Sequence, residues 1–106
     1  MALHITNIFY YTRMDLVVKI VRICGKCPVY ELGDKFLIKE GYKLQSEIPL
    51  CMHSLASLLP YYNAFAKGVS PNELGLGKEN SIFIQCLDPH DLTDGGTVTM
   101  EIYKNE

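Results

Sequence analysis

The sequence predicts an α+β domain: a mostly antiparallel sheet of four or five strands with one main, proline-bent helix on one face, in the order ββ(β)αββ. Three observations carry this. Residues 15–23 (DLVVKIVRI) and 97–103 (TVTMEIY) have the β-branched composition and two-residue alternation of strands. Residues 51–67 change to three- and four-residue spacing, the mark of a helix with one buried face. Turn signals at Gly33-Asp34, Asp88-Pro89 and Gly95-Gly96 separate the apolar runs. One helix laid on such a sheet is a two-layer architecture.

The chain has 106 residues, enough for one domain, and its 48% hydrophobic and 21% charged content is that of a globular protein. Net charge is -2, and the ten Lys and Arg residues are spread along the chain, so there is no basic stripe for nucleic acid. Lys35, Lys39 and Lys43 read as a solvated strand and turn. No apolar run reaches the length of about 20 residues that a membrane helix needs. The first residues lack the charge and apolar stretch of a signal peptide. The expected location is therefore cytoplasmic, where four cysteines are reduced thiols or metal ligands rather than a disulfide framework.

Residues 1–13, with Leu3, Ile5, Ile8, Phe9, Tyr10 and Tyr11, are weakly strand-like and read as an appendage that packs on the surface or on a partner. Residues 14–106 are the domain, and Met14 is a candidate alternative start. In the first strand, Lys19 and Arg22 sit at opposite parity, which implies either burial on both faces or a bulge. Lys35–Glu40 is a second strand with Phe36 and Ile38 inward, and Tyr42–Leu44 a short third. The helix presents Met52, Leu55, Ala56, Leu59, Tyr62, Asn63 and Ala66 as its buried stripe. Pro49 suits its start and Gly68 its end, while Pro60 should bend or split it. Residues 69–80 are a polar connection. Ser81–Cys86 and Thr97–Tyr103 close the sheet, with Val98, Met100 and Ile102 on the covered face.

Chain direction then makes a prediction about the thiols. The first strand runs up to Cys24 and Cys27, the second runs down, and residues 41–49 return to the helix start at Cys51. The helix descends, and the next strand rises to Cys86. All four cysteines should lie at one end of the domain.

Cys24-x-x-Cys27 has the spacing of half a zinc or iron–sulfur site. Cys51 and Cys86 complete a candidate set, with His53 and His90 as spare ligands. The plain alternative is inert, partly buried thiols. A redox dithiol is disfavoured because Pro28 and Gly33 leave no room for the helix that such a site needs. Cys86, Asp88 and His90 would share a face for nucleophilic catalysis only if their segment stayed extended, which Pro89 opposes. His4 has no evident chemistry, and Gly75-Leu-Gly77 lacks the strand and helix of a phosphate loop. Tyr61, Tyr62 and Phe65 are either core or a surface for self-association or ligand binding.

The segments GKCPVYELGDKF, LCMHSLASLLPYYNAFAKG, IQCLDP and GGTVTMEIYKN resemble a family of small prokaryotic proteins described as uncharacterised repeat proteins. The resemblance runs from about Met14 to the C-terminus. It implies recurring cysteines at Cys27, Cys51 and Cys86, a His where this chain has Tyr30, and a Gly-Asp equivalent to Gly33-Asp34. It implies no activity, and Cys24 is not among its positions.

Two functions are therefore expected ahead of an enzyme. One is a structural or sensing site for zinc or an iron–sulfur cluster through Cys27, Cys51 and Cys86, with Cys24 or His53 as fourth ligand. The other is a metal-free interaction or small-ligand module, self-associating as a homodimer, that uses the helix and its aromatics.

Overall fold

A computed structural model describes residues 15–105. The expected appendage at residues 1–13 and the candidate start at Met14 lie outside the described residues. The chain forms β1 (Leu16–Gly25), β2 (Lys35–Lys39), β3 (Lys43–Gln45), α1 (Met52–Ala66), a short α2 (Pro71–Leu74), β4 (Gly77–Lys78), β5 (Ser81–Gln85) and β6 (Gly96–Lys104), with a 3-10 turn at His90–Leu92. The strands make one sheet in the order β3-β2-β1-β6-β5-β4, every neighbouring pair antiparallel.

The α+β class, the antiparallel sheet and the single main helix are as expected. The strand number is six rather than four or five. The addition, β4, is two residues long, too short for alternation to reveal it. It belongs to the 69–80 connection, which also holds α2. Ser70 and Glu73 start that helix as a reciprocal capping box, with Pro71 in its first turn. The bulge alternative holds for β1, whose pairing with β6 shifts between Ile20 and Arg22. Val21 is the extra residue, so Ile20 and Ile23 both reach the covered face despite their odd spacing.

Leu16, Val18, Ile20, Phe36, Ile38, Ile82, Ile84, Val98, Met100 and Ile102 line that face, all buried. Each fully buried aliphatic or aromatic side chain contributes about 1.5–3 kcal/mol. From the helix, Leu58, Phe65 and Ala66 meet them, with Leu55 and Tyr62 half-buried beside.

Of the two outcomes expected at Pro60, a bend or a split, the split does not occur, and the helix is one continuous element. In its rotation it departs from expectation. Its buried line is Ser54, Leu58, Phe65 and Ala66, whereas Met52 and Leu59, expected inside, are 75% and 64% exposed. Two apolar stripes wind round this helix, and spacing alone does not choose between them. The choice is made by Tyr30, a buried side chain from the loop after β1. Its hydroxyl meets Ser54 Oγ at 2.8 Å and accepts the Cys51 N–H at 2.9 Å, fixing the helix about its axis. At the far end Gly68, at φ +107°, supplies the left-handed turn that ends the helix, as expected.

Candidate functional site

Two regions bear on function, a rim of thiols and an apolar groove. The rim follows from chain direction. β1 and β5 both flank β6 in antiparallel register, so they run the same way and end together. Cys27 lies in the turn after β1, Cys86 directly follows β5, and Cys51 is the N-cap of α1. All three pack, half-buried, against the core under the helix. Cys24 does not join them. It is exposed and pairs with Thr97, whose neighbour Val98 faces the core, so strand alternation puts Cys24 on the opposite face of the sheet.

The sulfurs are held by backbone. Cys27 Sγ accepts N–H groups of Val29 at 3.4 Å and Tyr30 at 3.3 Å. Cys86 Sγ accepts the Val98 N–H at 3.2 Å and its thiol donates to Gly96 O at 3.7 Å. Gly96 has no room for a side chain, because a Cβ there would stand 2.7 Å from Cys27 N and 2.6 Å from Lys26 C. The Cys27 turn and the Cys86 strand end thus close on the same glycine. His53, in the first turn of α1, is exposed. Among the described residues no three His, Cys, Asp or Glu side chains form a set that could hold a metal ion.

Cys86, Asp88 and His90 do not form a nucleophilic array. Asp88 Oδ1 accepts the backbone N–H of His90 at 2.9 Å and the hydroxyl of Thr93, while the His90 imidazole turns to Asp91 at 3.0 Å. Asp88 is instead the organiser of its loop, for its own carbonyl accepts the Thr97 hydroxyl at 2.6 Å and Thr93 Oγ1 accepts the Gly95 N–H at 3.1 Å. Its carboxyl is held below the ordinary value, chiefly by the Thr93 hydrogen bond. The backbone N–H groups of His90 and Gly96 and the charge of His53 push the same way, against desolvation.

The second region is a groove between the β2–β3 hairpin and α1, with a volume of ≈ 280 Å³. Ile38, Tyr42 and Leu44 form one wall, and Met52, Leu55, Ala56, Leu58, Leu59 and Tyr62 the other, with no charged side chain among them. Tyr42 is 68% and Leu44 52% exposed. The groove exists because one helix cannot cover this sheet. Six strands about 4.8 Å apart span roughly 24 Å, and a helix with its side chains is about 10 Å wide. α1 lies over β5 and β6, so the β2–β3 end of the same face is left open. Beyond it, among the described residues, no strand pairs with the outer edge of β3.

Tyr62 lies in this groove, Tyr61 is 39% exposed beside it, and Phe65 is core. Sequence reasoning missed the groove because it assigned Met52, Ala56 and Leu59 to the interior. The available signal was the second apolar stripe of α1, which demands a second partner. Among the described residues no helix is long and apolar enough to cross a membrane. Comparisons with family models, curated proteins and solved structures find no match to this chain.

Proposed function

We propose that the chain is a binding module whose groove takes up an extended, apolar, aromatic-bearing polypeptide segment. The observation that carries this is the helix that is apolar on two faces, one spent on the core and the other lining an apolar groove against the β2–β3 hairpin. Alternate side chains of an extended segment would enter the groove between Tyr42 and Leu44 on one side and Met52, Leu59 and Tyr62 on the other. At ≈ 280 Å³ the groove falls just below the roughly 300–1,000 Å³ of small-molecule pockets, and its lining is apolar throughout, which favours the side chains of a peptide over a compact polar ligand.

The probe is a fluorescein-labelled peptide that alternates Ile or Tyr with Thr, followed by polarisation. Because residues 1–13 are themselves apolar, the titration is run on the full chain and on the full chain carrying Ile8→Asp and Phe9→Asp. Saturable binding to at least one of them, weakened tenfold or more by Leu59→Asp and unchanged by Leu92→Asp, is expected. No saturable binding to either refutes the proposal.

The thiol rim supports a second function, a soft metal ion or an iron–sulfur cluster held by Cys27, Cys51 and Cys86 after rotation of their side chains. What favours it is the pair of backbone N–H groups already directed at Cys27 Sγ, a feature that orients and tunes metal-bound sulfur. Alkylation by iodoacetamide with and without Zn²⁺ tests it. Zinc should protect Cys27, Cys51 and Cys86 and leave Cys24 reactive; equal alkylation of all four with zinc present removes the metal from consideration.

A further inference from the structure

We propose that Cys27 and Cys86 are an oxidation site, a pair of thiols that closes into a reversible intramolecular disulfide. It needs two sulfurs and no metal, and it does not depend on the groove.

Position is the first argument. β1 and β5 flank β6, so they stand two strand spacings, about 9.6 Å, apart. A disulfide requires Cα atoms roughly 4.4–6.8 Å apart, and residues in line with those two strands could not form one. The turn after β1 removes one of the spacings. It crosses onto β6, where a Cβ on Gly96 would stand 2.7 Å from Cys27 N and 2.8 Å from Lys26 O. By alternation Gly96 shares the face of Val98 and Met100, so Cys27 lies above β6 on the helix side. From the other side Cys86 leans toward the same glycine, its Sγ 3.2 Å from Val98 N and 3.7 Å from Gly96 O. In the plane of the sheet one strand spacing, about 4.8 Å, then separates the two residues. Both lie just past the ends of their strands, and rotation of the side chains makes the remaining approach.

The other two thiols lack this arrangement. Cys24 is exposed on the opposite face of the sheet. Cys51 meets the Cys27 turn through the Tyr30 hydroxyl, which accepts its N–H at 2.9 Å.

Chemistry is the second argument. Cys27 Sγ only accepts, from the N–H groups of Val29 and Tyr30, whereas the Cys86 thiol donates to Gly96 O. Cys27 is therefore the sulfur that attacks a peroxide. Its Sγ–O bond forms as the O–O bond of hydrogen peroxide breaks, and the departing hydroxide takes the Cys27 proton as water. Cys86 Sγ then attacks the Cys27 sulfenic acid. The S–S bond forms, the S–O bond breaks, and hydroxide leaves as water with the Cys86 proton. Two thiols are oxidised and one peroxide is reduced to two waters. A dithiol reductant reverses the step by exchange.

The full chain is treated with hydrogen peroxide in EDTA, and its unreduced peptides are mapped by mass spectrometry. A Cys27–Cys86 link should appear within more than half of the chains, vanish with dithiothreitol, and form equally in Cys24→Ser. In Cys86→Ser, which lacks the second thiol, dimedone should label Cys27 at least fivefold more than in wild type. A Cys51–Cys86 link in its place, or links only between chains, overturns the pairing, as does oxidation that leaves Cys27 and Cys86 unjoined. Equal dimedone labelling of Cys27 in the two chains overturns the role of Cys86. Peptide and zinc are absent throughout, so these outcomes are separate from those that test the groove and the metal.

Discussion

Tyr30 is a core side chain whose single hydroxyl ties the Cys27 turn to the start of α1. Tyr30→Phe leaves the Cys51 N–H without its partner, while Ser54 keeps its bond to Cys51 O at 2.8 Å. A part-buried donor left unpaired costs about 1–3 kcal/mol, which urea unfolding would read as a lowered midpoint at constant slope. Asp88 sets a pH dependence of its own. Its folded pKa lies below the ordinary 3.8, so its contribution to stability is complete above that value and is lost as pH falls through the folded one. Wild type should weaken relative to Asp88→Asn between pH 5 and pH 2; parallel stability curves would contradict this. At this scale the sequence is uneven. The common end of Cys27, Cys51 and Cys86 is legible, since it follows from chain direction alone. The Tyr30 hydroxyl is not, because its partners are 21 and 24 residues away and nothing local announces them.

The elements repeat this division. Long strands such as β1 and β6 are readable because many residues vote for one period, and β4 is not because two residues cannot. The helix is readable as a helix but not in its rotation, since both of its apolar stripes satisfy the same spacing and only tertiary contacts choose. Adjacent leucines test that choice. Leu58→Ala empties core volume and should cost about 2–5 kcal/mol, whereas Leu59→Ala, on the groove wall, should change stability by no more than about 0.5 kcal/mol. Similar losses at both positions would mean that the groove stripe is the buried one. Pro60 gives an independent check, because an exposed proline in mid-helix lacks a hydrogen bond and crowds the preceding turn. Pro60→Ala should stabilise by about 2 kcal/mol, the helical gain less the entropy that proline removes from the unfolded chain. An unchanged urea midpoint would show that the proline's local geometry is needed for packing.

For the whole molecule, the governing mismatch is that, among the described residues, a sheet six strands wide carries one main helix, and this makes stability graded from centre to edge. β1 and β6, of ten and nine residues, sit at the centre and pair with each other along their length. Their amides should exchange with deuterium only on global unfolding. β3 has three exposed residues at one rim and pairs only with β2 among the described residues. At the rim of the sheet, with all three residues exposed, its amides should exchange by local opening many-fold faster than those of β1. An occupant bridging β3 and α1 changes this locally, because it adds contacts to the edge and none to the centre. Hydrogen exchange should therefore show β3 slowed when the labelled peptide is added to saturation, with β1 and β6 changed by no more than the gain in global stability. If β3 and β1 slow by the same factor, the peptide stabilises the fold as a unit, and the groove is not a separately addressable site.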